Sequence, residues 1–188
     1  RRRSHYSEED RKHFDPKKHQ HVHDKLMEAY KYKQKNYYVG LSCRCCVGNG
    51  GFNQMVEWRG EDDEYLTWSN LWVNNNYPLF VEYMIPEFSK HKIVYTLNER
   101  GDVLGLPFDV VKDFRVGSNC IVNDFDKWKE VADWIESEYI TDHVFLFSAS
   151  SLSNFMIYEL YKRYPQNTYI DIGTTLNGYI GLDRSRKY

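Results

Sequence analysis

Two short stretches near the carboxyl end hold the residues best placed to do chemistry. Ser148-Ala149-Ser150-Ser151 follows the apolar run Val144-Phe145-Leu146-Phe147, and Asp171-Ile172-Gly173-Thr174-Thr175 follows Thr168-Tyr169-Ile170. A continuous apolar run of four is the pattern of a strand buried on both faces of a parallel sheet. Small hydroxyl residues behind such a strand, opening a helix, leave backbone N–H groups reachable by a phosphate. Loops at the carboxyl ends of neighbouring parallel strands are where open α/β sheets bind ligands. The pair therefore points to a phosphorylated small molecule. Ser151 or Ser153 can cap the helix, with Asn154 turned toward the ligand, and capping alone also accounts for the serines. Asp171 is either a ligand-facing carboxylate or the cap of its own turn.

Other candidates have two readings each. Asn98-Glu99 closes the run Lys92–Leu97 and borders the same edge. Glu61-Asp62-Asp63-Glu64 contains a D-x-E in which Asp62 and Glu64 can offer hard oxygen ligands to Mg2+ or Mn2+ beside a diphosphate; equally, it is a solvated helix start favoured by the dipole. Cys43-Arg44-Cys45-Cys46 is either a tight loop of reduced thiols or three ligands of a zinc site, though C-x-C-C is not a standard zinc spacing. His19 and His23 share a helical face without an accompanying base, which suits a surface helix better than a metal pair. His91 and His143 precede strands and read as structural. No G-x-S-x-G or P-loop is present.

The elements that must position these groups are legible from period and punctuation. Asp15-Pro16 marks a helix start running to about Gln34. Strands are expected at Asn36–Ser42, Lys92–Leu97, Lys112–Val116, Val144–Phe147 and from Thr168. The cysteines and Gly48-Asn49-Gly50-Gly51 read as loop and turn, Thr67–Val73 as helix, Tyr77 to Ile85-Pro86 as helix. Asp124–Glu138 carries Phe125, Trp128, Val131, Ala132 and Ile135 at helical spacing. Alternating strands and helices give an α/β, Rossmann-like, doubly wound and mainly parallel sheet. A single domain over 16–188 is expected, behind residues 1–15, a polar tail or the end of an earlier element. The chain has 188 residues, 41% hydrophobic and 28% charged, with a net charge of −2, which argues against a nucleic-acid binder. No membrane span or signal peptide is recognisable, so a cytoplasmic setting is expected. The abrupt charged start without Met suggests a piece of a longer protein.

With these residues in view, the chain resembles the GT-D-type nucleotide-sugar glycosyltransferases, a family first defined as a domain of unknown function. The resemblance is carried by Tyr37–Cys46, by Thr67–Asn74 with Tyr77-Pro78, by Phe147–Ala149 leading to Asn154, by Asn167–Gly173, and by Arg184–Tyr188. It implies transfer of a sugar from a nucleotide diphosphate donor, such as a UDP-sugar, to a glycan or other acceptor, assisted by Mn2+ or Mg2+. The donor's diphosphate would rest on Ser148, Ser150 and Ser151, with Asn154, Gly173, Thr174 and Asn98 around it; Asp171 or Glu99 would serve as base. The chain departs from the family in lacking an Arg-x-Gly-Asp-Gly-Glu-like metal stretch. It also has Ser150 where the family's helix-opening loop has Gly or Pro. The rival readings are an S-adenosylmethionine-dependent methyltransferase using the D-x-G outline of Asp171–Gly178, and a nucleotide-binding module without catalysis.

Overall fold

The structure is a computed structural model that describes residues 14–15, 17–60 and 64–183. Its centre is a four-stranded, all-parallel sheet made of β3 (Lys92–Asn98), β4 (Val110–Val116), β5 (His143–Phe147) and β6 (Thr168–Asp171), in the order β4-β3-β5-β6. A separate pair, β1 (Val39–Leu41) and β2 (Leu66–Trp68), is also parallel. Helices α1 (Gln20–Lys31), α2 (Arg44–Arg59), α3 (Tyr77–Leu79, Phe80–Met84 and Ile85–Phe88), α4 (Cys120–Asn123), α5 (Lys127–Ser137) and α6 (Ser151–Arg163) surround the strands. The fold is thus the expected α/β class, with helices flanking a parallel sheet in a Rossmann-like way.

The central strands β3 and β5 are buried on both faces, which is why they read as apolar runs, whereas the edge strands β4 and β6 are partly exposed. On one face Val94, Phe114, Phe145 and Phe147 pack under α1, α4, α5 and α6 through Val22, Ile121, Val131, Ile135, Leu152 and Phe155. Phe125 stacks on Phe155 with ring centroids 4.4 Å apart. On the other face Ile93, Tyr95, Leu97, Val144 and Leu146 meet α3 and the segment after β6, through Phe80, Phe88, Leu176 and Ile180. The β4–β5 and β5–β6 crossovers place their helices on the first face. The short β3–β4 link, with a 3-10 turn at Val103–Gly105, contributes Phe108 to the second. This is double winding.

Three local expectations are corrected. The cysteines do not form a loop: Cys43 is the N-cap of a single helical turn, Arg44–Val47, and the chain breaks at Gly48 (φ 76°, ψ 171°), where a glycine turn was expected, before helix resumes through Gly50 and Gly51 to Arg59. Thr67–Val73 is not a helix, because Leu66–Trp68 pairs with Val39–Leu41 and only turns follow. Its Trp68, Leu71 and Trp72 mimic helical spacing, but a three-residue strand is too short to show alternation. Ile85-Pro86 does not close α3, which continues to Phe88; the π-type turn at Phe80–Met84 immediately upstream absorbs the donor that Pro86 lacks. The tail at 1–15 lies almost wholly outside the described residues.

Candidate functional site

The strand order locates the site more narrowly than the sequence did. From β3 the chain winds to β4 on one side and then crosses to β5 on the other, so the topological switch point lies between β3 and β5. Ligands of open α/β sheets bind outside the carboxyl ends of strands at such a point. The tips of β3 and β5 therefore form the centre, and the β6 tip, where Asp171 pairs in register with Phe147, flanks it.

At the β5 tip the chain turns sharply into α6. Ser150 is the N-cap residue at φ 51°, ψ −141°, a conformation suited to glycine, and its side chain caps nothing. Ser153, fully buried, takes up part of the work: its hydroxyl accepts the Ala149 N–H at 3.0 Å. The N–H groups of Ser150 and Ser151 have no acceptor among the described residues. Open N–H groups at the start of a 13-residue helix have the geometry and dipole that can receive an anion. Asn154 is exposed on the first turn. Ser148 does not join this side, since its hydroxyl pairs with Tyr95 Oη at 2.8 Å on the opposite face of the sheet.

At the β3 tip, Asn98 Oδ1 accepts the Arg100 backbone N–H at 3.1 Å and its Nε–H at 3.2 Å. That contact anchors an exposed guanidinium beside the switch point. The Glu99 N–H donates to Val116 O at 2.9 Å, tying the tips of β3 and β4 together. A methyl on Gly117 would lie 3.7 Å from Asp124 Oδ2 and 3.8 Å from Glu99 Oε1, so two carboxylates border one glycine. Asp124 also accepts the Gly117 N–H at 2.9 Å. On the β6 tip, Asp171 Oδ1 accepts the Gly173 N–H at 3.0 Å, and Gly173 has φ 52°. Asp171 thus caps its own turn, with Thr174 half-buried beside it.

Sequence reasoning missed Thr96, Arg100, Asn119 and Asp124. Thr96 is 1% exposed and its hydroxyl has no partner among the described residues, while its carbonyl accepts the Ser148 N–H at 2.8 Å. By strand alternation it faces the α6 side, as Asn98 does. Asn119, at φ 55°, likewise buries an unpaired Oδ1 in the loop after β4. Only the register and the strand order bring these groups to one edge; no local motif announces them.

Asp62 is outside the described residues, and Glu64 is exposed in the turn before β2. Among the described residues, no cluster of three or more Asp, Glu, His or Cys has metal-binding geometry except Cys43, Cys45 and Cys46. A shallow hollow of about 290 Å³ between Leu71, Trp72, Phe80 and Met84 is mainly apolar and has no charged lining, so it does not suit a diphosphate.

No family model matches the chain, and no curated protein does. One solved structure, a selenomethionine-substituted domain of unknown function 1792, superposes with a TM-score of 0.52 at 12% identity, covering 85% of this chain. This chain spans 65% of that one. At that identity the likeness bears on the fold alone. None of the described helices is long and apolar enough to cross a membrane.

Proposed function

We propose that this chain is a glycosyltransferase domain that binds a nucleotide-diphosphate sugar at the tips of β3 and β5. The observation that carries the reading is the pair of open N–H groups at Ser150 and Ser151, set at the switch point of a doubly wound sheet. The likeness to a domain of unknown function supports it at the level of fold, together with the sequence resemblance to GT-D-type enzymes.

The diphosphate lies against the start of α6, with Arg100 on its open side and Asn154 and Thr174 as hydrogen-bonding neighbours. Charge developing on the leaving diphosphate is met by preorganised N–H dipoles and a guanidinium, and such groups are worth most where water is excluded. Asp171 or Glu99 takes the acceptor's proton if the sugar is displaced directly. A divalent cation needs several hard oxygen ligands. Asp62 of the candidate D-x-E lies outside the described residues and Glu64 is exposed before β2; a cation held there would add its charge to that neutralisation. The second reading is a module that holds the nucleotide without turning it over.

Calorimetry with UDP, GDP and their sugars, with and without Mn2+, tests the proposal. Saturable binding that Arg100→Ala weakens supports it, and the absence of heat at millimolar ligand overturns it. Hydrolysis or transfer of the bound sugar separates enzyme from module. Binding of S-adenosylhomocysteine instead would restore the methyltransferase reading.

A further inference from the structure

The first turn of α2 gathers three cysteines that the proposed function does not use. Cys43 is the N-cap residue, Cys45 and Cys46 belong to the first turn, and their sulfurs all lie within 4.8 Å of one another. The Cys43 and Cys46 sulfurs are 3.2 Å apart. Cys45 and Cys46 are exposed, and Cys43 is half-buried, so the group is open to solvent on one side. The strand pairing fixes this approach from below. Ser69 N–H donates to Leu41 O at 2.9 Å, and Ser42 and Ser69 hydroxyls meet at 3.3 Å, which holds the chain just before Cys43.

From this geometry we infer that Cys43, Cys45 and Cys46 form a three-thiolate site for a thiophilic d10 cation of the zinc type, with a fourth position open. Zinc–thiolate bonds of about 2.3 Å at tetrahedral angles put sulfurs roughly 3.8 Å apart, a spacing reached here by small side-chain rotations. Soft thiolates select such ions over magnesium or manganese. Three thiolates around a divalent ion leave one net negative charge. The N–H groups that open α2 lie beside it, on the single turn Arg44–Val47 that precedes the break at Gly48. Arg44, whose guanidinium lies 4.5 Å from the centre of the Phe52 ring, adds positive charge on the same turn. The open fourth position takes water or a donor from a bound molecule. This inference is independent of nucleotide binding at α6.

The test uses the whole chain, reduced and stripped of metal, titrated with Cd2+ while thiolate-to-cadmium charge-transfer absorption is followed. One equivalent per chain is expected, with zinc competing for the same site. Removing an outer-shell partner of a metal site already costs about 10- to 100-fold in affinity, so Cys43→Ser, Cys45→Ser and Cys46→Ser should each lose at least about tenfold. Circular dichroism checks that each variant is folded; Cys45 and Cys46 are exposed, so their variants keep the test sound if Cys43→Ser does not fold. No absorption at stoichiometric cadmium overturns the inference. So does a Cys45→Ser chain that binds like the parent, or a reduced chain that takes no cadmium and instead closes a Cys43–Cys46 disulfide in air.

Discussion

The β5–α6 and β1–α2 junctions share one plan, a parallel strand running through a small residue into a helix whose first turn is left open. They differ in what surrounds them. β5 has a neighbour on each side and every residue buried, whereas β1 has a single partner and only Leu41 fully buried. The first junction can therefore hold a strained backbone and present its N–H groups, which suits a hard oxyanion. The second offers side-chain sulfur on a helix with three glycines, which suits a soft cation. The same local architecture supports opposite ligands because burial decides whether backbone or side chain does the binding.

The largest effect should come from the supports. Phe147→Ala, at a site with no exposure, should cost about 3–5 kcal/mol in urea denaturation, whereas Leu41→Ala should fall near the lower bound for its class, roughly 2 kcal/mol. Equal losses would mean that the two junctions are equally braced, and the comparison would fail.

Next is the ligand itself. Ser150→Asp puts a carboxylate on the open N–H groups of α6. Like charges in contact cost several kcal/mol, so nucleotide affinity should drop about a hundredfold. Cadmium uptake at Cys43 should not change. Unaltered nucleotide binding would place the phosphate away from α6.

The thiols give a smaller, pH-dependent contrast in the metal-free chain. Hydrogen bonds from Cys45 and Cys46 lower the Cys43 thiol to about 7, while its bond to Cys43 and burial push Cys46 up to about 11. The thiolate is the nucleophile, so Cys43 alkylation should rise through pH 7 and level off above it, with Cys46 remaining slow until strongly alkaline pH. Peptide mass spectrometry after a timed pulse of iodoacetamide reads this directly. Faster labelling of Cys46 at neutral pH would contradict the hydrogen-bond direction.

What the sequence made legible follows the same contrast. β3 and β5, and the open helix start at Ser150, were readable because a strand buried on both faces leaves a continuous apolar run; β6, half-buried at the sheet edge, was read from Thr168-Tyr169-Ile170 and the turn residues after it. β2 and α2 were not. Three residues cannot show a period, and α2, broken at Gly48, resumes as helix through Gly50 and Gly51 with no apolar stripe. Within the site, Asn98, Glu99 and Asp171 were found at strand ends. Thr96, Arg100 and Asp124 were not, since their convergence depends on a strand order that no local pattern encodes.

The finest test exchanges glycine for side chain at matching places in the two junctions. Ser150 holds φ 51° with a Cβ, and Gly48 holds φ 76° without one. A left-handed backbone costs a non-glycine residue about 1–2 kcal/mol, and glycine's extra freedom in the unfolded chain takes back part of that. Ser150→Gly should therefore stabilise the fold by about 1 kcal/mol or slightly less. It should also tighten nucleotide binding, because the backbone at the start of α6 then lets a phosphate come closer. Gly48→Ala should do the reverse to stability by a similar amount, straining the break in α2 without touching the sulfurs. If Ser150→Gly leaves both stability and affinity where they were, the strain at the start of α6 is not being held by the sheet beneath it. The distinction drawn between a braced backbone site and a side-chain site would then lose its physical basis.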